Sequence, residues 1–172
     1  HSKHYDMHVR YNIEPKVMQD HIKTFNESAA IGFLPPLRDA VHYVRKLHEH
    51  HGFVFHVITS LSKDPAACQL RTMNLKKLFG ETVFERFIYL DTGEDKTKAL
   101  SEYRDSGYLW VEDMPSNAEA GRKLGLDPRI MEHGHNMDWN GDDPSIRVAT
   151  GTPFRAYIPI VRNWKEIYEC VA

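Results

Sequence analysis

The apolar run at residues 53–58 (FVFHVI) is the feature that most constrains the fold of this 172-residue chain. A β-rich run of this length without polar alternation is typical of a strand buried on both faces of a parallel sheet. The run follows a helical pattern that ends at Gly52 and consists of Leu37, Ala40, Val41, Val44 and Leu47. Because parallel strands need crossover connections, usually helices, an α/β fold is predicted.

The rest of the chain continues the alternation of helices and strands. Helical spacing and caps predict helices at residues 14–27, 37–51, 66–79, 96–104, 116–124 and 164–171. Apolar β-rich runs predict further strands at residues 87–90, 108–111 and 129–131, with an extended segment at 157–161. This order favours a Rossmann-like, doubly wound parallel sheet.

Composition excludes several classes of function. Lys and Arg number 22 against 24 Asp and Glu, so the net charge of −2 disfavours a nucleic-acid polymer as partner. No apolar run approaches the roughly 18–20 residues of a membrane helix, and residues 1–10 are too polar for a signal peptide. Cys68 and Cys170 lie far apart without metal-ligand spacing, which predicts reduced thiols and a cytoplasmic location.

Ligands of open parallel sheets bind beyond the carboxyl ends of the strands, so the residues at those ends are candidates for function. Thr59 and Ser60 follow the first strand, Glu112 and Asp113 follow the strand at 108–111, and Lys96 opens the helix between them. Each has an ordinary explanation: a helix cap, a solvated acidic turn and an exposed lysine. Their combination in this order predicts a site for an anion and a cation.

Three stretches in this order resemble motifs of the haloacid dehalogenase-like (HAD) hydrolase superfamily. Residues 53–60 (FVFHVITS) resemble its second motif, residues 95–100 (DKTKAL) its third and residues 109–121 (LWVEDMPSNAEAG) its fourth. Within the superfamily, residues 33–37 (FLPPL), 131–136 (MEHGHN) and 161–167 (VRNWKEI) are similar to the 5'(3')-deoxyribonucleotidase branch.

The resemblance implies hydrolysis of a phosphate monoester, most plausibly a nucleoside monophosphate, through an aspartyl-phosphate with Mg²⁺ as cofactor. It implies that the Thr59 hydroxyl and the Ser60 N–H bind phosphoryl oxygens and that Lys96 neutralises charge. It also implies that Glu112 and Asp113 bind the metal and that Asn117 orients the groups around the metal. The implied substrate contacts are His135, Asn136 and Phe33.

The first motif of the superfamily, a buried strand followed by D-x-D, does not occur in the 172 residues. By analogy with the family's layout, we expect a segment of roughly 20–40 residues upstream that supplies the nucleophile and a central strand. Residues 1–33 would then be the remainder of a small helical cap over a core at 34–172, within a single domain. Without the central strand, unpaired strand edges favour association, so a homodimer is among the expected assemblies.

Two other readings stay open. One is a non-catalytic phosphate-binding or regulatory module of the same fold, and the other is a fragment that works only when another chain supplies the central strand.

Two further clusters of polar residues have explanations that involve no function. The histidines His1, His4 and His8 could bind a transition metal but fit a mobile terminus better. The acidic loop around Gly141 lacks the downstream Glu of the calcium-binding hand motif and fits a solvated turn better; its carboxylates are Asp138, Asp142 and Asp143.

Overall fold

The computed structural model describes residues 6–136 and 158–172, and it confirms the α/β class. The helices of the described residues are α1 (Met7–Tyr11), α2 (Pro15–Asn26), α3 (Ala40–His51), α4 (Pro65–Phe79), α5 (Thr97–Leu100), α6 (Pro115–Lys123) and α7 (Trp164–Val171). Short 3-10 turns lie at Ala29–Phe33 and Ser101–Tyr103. The strands are β1 (Phe55–Thr59), β2 (Phe84–Tyr89), β3 (Leu109–Glu112), β4 (Asp127–Met131) and β5 (Ile160–Val161).

Local signals in the sequence set the ends of these helices. Helix α4 begins after Asp64, whose carboxylate accepts a hydrogen bond from the Ala67 N–H at 2.8 Å, with Pro65 in the first turn. Helix α3 ends at Gly52, which adopts φ of +70°, a conformation that favours glycine. Helix α7 begins after Asn163, whose side chain accepts from the Glu166 N–H.

The described residues form two parallel sheets, not the single doubly wound sheet that the sequence predicts. Strand β1 pairs with β2, and β3, β4 and β5 pair in that order. The described residues accordingly divide into two compact units, one of residues 7–95 and 163–172 and one of residues 6, 96–136 and 158–162. We call them the β1–β2 unit and the β3–β5 unit. Residues 7–33 group with residues 34–95 in this division, and the predicted cap at 1–33 over a core at 34–172 stays a prediction.

The β1–β2 unit has a core between its sheet and helices α3 and α4. Ala40 and Val44 from α3 meet Leu75 and Phe79 from α4, and Val83 completes this buried cluster. Aromatic rings pack around it, as in the edge contact of Phe79 with the ring of Phe84 at 5.5 Å between centroids. The apolar sequence at 53–58 is not buried on both faces as predicted. Val54 is 51% exposed, and within the strand itself, which runs from Phe55 to Thr59, only Ile58 is buried.

The β3–β5 unit has a smaller core, formed by Ala118 of α6, Ile130 of β4 and Ile158. Helix α6 approaches strand β3 closely at Gly121, where an added Cβ would lie 2.6 Å from Cδ1 of Trp110. Glycine at this position is what allows the tryptophan ring to lie against the helix. The carboxyl ends of β3 and β4 are adjacent, with Glu112 opposite Ile130 in the register, so the loops that follow them meet at one edge.

Candidate functional site

The carboxyl edge of the β3–β5 sheet brings Lys96 and Glu112 together, although they lie 16 residues apart. The Nζ atom of Lys96 donates to Oε2 of Glu112 at 2.6 Å. The Glu112 side chain is buried, with 5% of it exposed, and the Lys96 side chain is largely covered, with 13% of it exposed. Burial raises the pKa of Glu112 above its usual value, while the Lys96 ammonium acts to lower it. The pair is therefore an internal ion pair and not a surface contact.

Trp110 completes the surroundings of the lysine. Trp110 and Glu112 are two residues apart on β3, so their side chains leave the same face of the strand. The Lys96 ammonium lies 5.6 Å from the centroid of the Trp110 ring, within the range of a cation–π contact. The Trp110 Nε1–H donates to the main-chain oxygen of Asn117 at 3.2 Å, which fixes the ring against the first turn of α6. Sequence analysis missed this role of Trp110, although its spacing from Glu112 carries the signal.

Asp113 lies at the start of the loop after β3 and is more accessible than Glu112, with 40% of its side chain exposed. Its Oδ2 atom lies 3.5 Å from Nε2 of His135, in the loop after β4. The main-chain oxygen of Asp113 accepts a hydrogen bond from Nδ2 of Asn136 at 2.8 Å. The structure thus brings together three residues that the sequence predicts separately as metal ligand and substrate contacts.

The predicted magnesium ligands differ in what else they contact. One oxygen of Glu112 is bound by Lys96, and the other lies 3.3 and 3.4 Å from the N–H groups of Asp113 and Met114. The role of Glu112 as a metal ligand stays a prediction, and a metal ion bound to its carboxylate would compete with the Lys96 ammonium. Asp113 has an accessible carboxylate, and Mg²⁺ is commonly held by one or two carboxylates with retained waters. Among the residues described, no cluster of three or more His, Cys, Asp or Glu side chains could hold a metal, so the role of Asp113 as a magnesium ligand also stays a prediction.

Thr59 and Ser60 lie at the carboxyl end of β1, in the β1–β2 unit, and both are half-buried. The main-chain oxygen of Thr59 accepts from the Leu90 N–H at 2.9 Å. The Ser60 hydroxyl donates to the main-chain oxygen of Glu94 at 2.7 Å, which ties the loop after β1 to the loop after β2. Lys63, also after β1, forms ion pairs with Asp91 and Glu94 in the loop after β2. Sequence analysis did not predict this link between loops.

The remaining predicted residues are placed as follows. Asn117 is half-buried in the first turn of α6. Phe33 ends a 3-10 turn in the β1–β2 unit and is 79% exposed, so it does not pack in the core. Two of the three N-terminal histidines, His1 and His4, and the three carboxylates around Gly141 lie outside the described residues.

Comparisons with protein-family models, curated proteins and solved structures found no match for this chain. In residues 6–136 and 158–172, no helix has the length and apolar character needed to cross a membrane.

Proposed function

We propose that this chain carries the phosphate- and metal-binding groups of a Mg²⁺-dependent phosphate monoester hydrolase with a Rossmann-like, HAD-type core. The proposed substrates are nucleoside monophosphates, and the proposed location is the cytoplasm. The observation that carries the proposal is the buried Lys96–Glu112 ion pair beside the accessible carboxylate of Asp113 at one edge of a parallel sheet. This edge is where open α/β proteins bind their ligands.

The ion pair suits Lys96 to a phosphate. An ammonium group has three donors, and Glu112 takes one of them at 2.6 Å. The remaining donors can reach oxygens of a bound phosphate while Glu112 and the Trp110 ring hold the side chain in place. Phosphoryl transfer asks a protein mainly for positioning and for stabilisation of charge on the phosphoryl oxygens. A preorganised lysine supplies both.

Asp113 is the proposed magnesium ligand, and Asn117 is proposed to orient the groups around the metal. When bound, the ion would neutralise charge on the phosphate oxygens. The resemblance also assigns a phosphate contact to the Thr59 hydroxyl, in the β1–β2 unit, and this role stays a prediction. The Ser60 hydroxyl is bonded to Glu94, so the proposal for Ser60 concerns its main-chain N–H. His135 and Phe33 remain proposed substrate contacts.

The reaction also needs a nucleophile and a general acid. The resemblance assigns both roles to a D-x-D segment, which the 172 residues do not contain. A second candidate function is a binding module that holds a phosphate without chemistry. It is favoured by one specific observation: no pair of aspartates with D-x-D spacing occurs in the 172 residues.

Phosphate release from a panel of nucleoside monophosphates tests the proposal. The protein is produced from its full natural coding sequence, and each substrate is assayed with and without Mg²⁺. We expect Mg²⁺-dependent hydrolysis that Lys96→Ala and Asp113→Asn each reduce at least 100-fold. Undiminished turnover in both variants would reject the site. Saturable binding of nucleotide without hydrolysis would favour the binding module.

A further inference from the structure

Asn136 uses every hydrogen-bonding group of its side chain on the main chain around the candidate site. Its Nδ2 donates to the main-chain oxygens of Asp113 and Met131, both at 2.8 Å. Its Oδ1 accepts from the His133 N–H at 2.7 Å. The residue is 3% exposed. A side chain so buried and so fully bonded has no donor left for a substrate, which was the role the sequence predicted for it.

We infer that Asn136 is a positioning residue that fixes the main chain at Asp113 and thereby aims the carboxylate proposed to bind Mg²⁺. This inference rests on the proposed function of Asp113. Met131 is the last residue of β4, Asp113 directly follows the neighbouring parallel strand β3, and one amide group bridges their carbonyls. The loop after β3 is thereby fastened to the loop after β4.

The chemistry of the bridge selects asparagine. Two carbonyl oxygens require two donors from one group, and an N–H requires an acceptor on that same group; a primary amide supplies all three. Aspartate has the same shape but would face the two carbonyls with oxygen atoms. Glutamine keeps the amide but moves it by the length of one methylene group.

His135 strengthens the case because it approaches Asp113 from the same loop. Its Nε2 lies 3.3 Å from the main-chain oxygen of Asp113 and 3.5 Å from the carboxylate oxygen Oδ2. Loss of the Asn136 bridge would therefore free both the Asp113 main chain and the loop that carries His135. Changes in residues that orient a metal ligand commonly weaken metal affinity 10- to 100-fold.

The test compares Asn136→Ala with Asn74→Ala in the full protein. Asn74 is a matched control because it is 6% exposed, donates to the carbonyls of Gly32 and Leu34, and accepts from Arg71. It makes the same kind of bridge, but within the β1–β2 unit. Mg²⁺ affinity is measured by calorimetry, and hydrogen exchange at the amides of Asp113 and Met114 by NMR.

We expect Asn136→Ala to weaken Mg²⁺ binding at least 10-fold and to accelerate exchange at both amides, while Asn74→Ala changes neither. Should Asn136→Ala not fold, Asn136→Gln gives the same comparison. If the wild type binds Mg²⁺ and Asn136→Ala binds it within twofold, the inference is overturned and the proposed function stands. If the wild type binds no Mg²⁺, the proposed function fails. In that case, unchanged hydrogen exchange at the Asp113 and Met114 amides of Asn136→Ala also overturns the positioning role. Faster exchange at these amides supports the positioning role.

Discussion

Removal of the lysine from the Lys96–Glu112 ion pair should destabilise the β3–β5 unit strongly at neutral pH. In Lys96→Met an apolar chain replaces the ammonium, and the Glu112 carboxylate stays buried without its cation. At 2.6 Å and an effective dielectric constant of about 20, the lost attraction is about 6 kcal/mol. The variant also escapes the cost of burying the ammonium, so the expected loss of unfolding free energy is about 3–5 kcal/mol at pH 7.

The size of this loss should depend on pH, because burial raises the pKa of Glu112. A raised pKa means that the folded state binds the proton more tightly than the unfolded state, so stability increases as the pH falls through the folded pKa. Without Lys96 the pKa of Glu112 rises further. The destabilisation of Lys96→Met should therefore shrink as the pH is lowered from 7 to 5.

Urea unfolding followed by circular dichroism measures these free energies at both pH values. Lys165→Met is the matched control, because Lys165 pairs with Glu169 at 3.5 Å and both side chains are more than half exposed. The control should lose less than about 1 kcal/mol. The double variant Lys96→Met/Glu112→Leu should be more stable than Lys96→Met, since no charge is left buried. Equal losses in Lys96→Met and Lys165→Met, or no recovery in the double variant, would refute this reasoning.

Three further predictions concern the same unit and one helix cap. Gly121→Ala places a Cβ 2.6 Å from the ring of Trp110, so the ring must move; we expect a loss of about 1–3 kcal/mol in thermal unfolding and a change in tryptophan fluorescence. Glu112→Gln removes the group whose pKa burial raises. As the pH is lowered, protonation of Glu112 removes the counter-ion of Lys96, so the wild-type rate of phosphate release should fall at a pH above the ordinary glutamate pKa of about 4.3. This fall in rate should be missing in Glu112→Gln. The same fall in the variant would contradict the assignment of the pH dependence to Glu112. Asp64→Ala removes the carboxylate that caps α4 and should cost about 1 kcal/mol in urea unfolding, with no effect on Mg²⁺ affinity.

Local chemistry made much of the fold predictable. The helix at 164–171 was predicted with the bounds that the structure shows, because an asparagine cap and a run of helix formers act within a few residues. The helix after Asp64 was predicted for the same reason and begins at Pro65, one residue earlier than expected. Strand bounds were less accurate: β2 begins at Phe84 and not at residue 87. The bounds of a strand depend on which of its residues are hydrogen-bonded to partner strands, and those partners are distant in sequence.

The sheet itself was not predictable from such local patterns. The alternation of strands and helices indicated one doubly wound sheet, whereas the described strands form a pair and a triplet. Hydrophobic pattern indicates a strand but shows neither how much of it is buried nor which strand lies beside it. The division of the chain at 95/96 and 162/163 follows from this pairing and has no signal in composition.

In the candidate site, the sequence by itself determined the residue types and the strand ends at which they stand: Lys96 before a helix, and Glu112 and Asp113 after a strand. The tertiary structure decided what each group does. It paired Lys96 with Glu112, left the Asp113 carboxylate accessible, and turned Asn136 from a predicted substrate contact into a buried bridge. The physical reason is that hydrogen bonds and ion pairs depend on distances of about 3 Å between groups 16 to 23 residues apart, and only packing of the chain sets those distances.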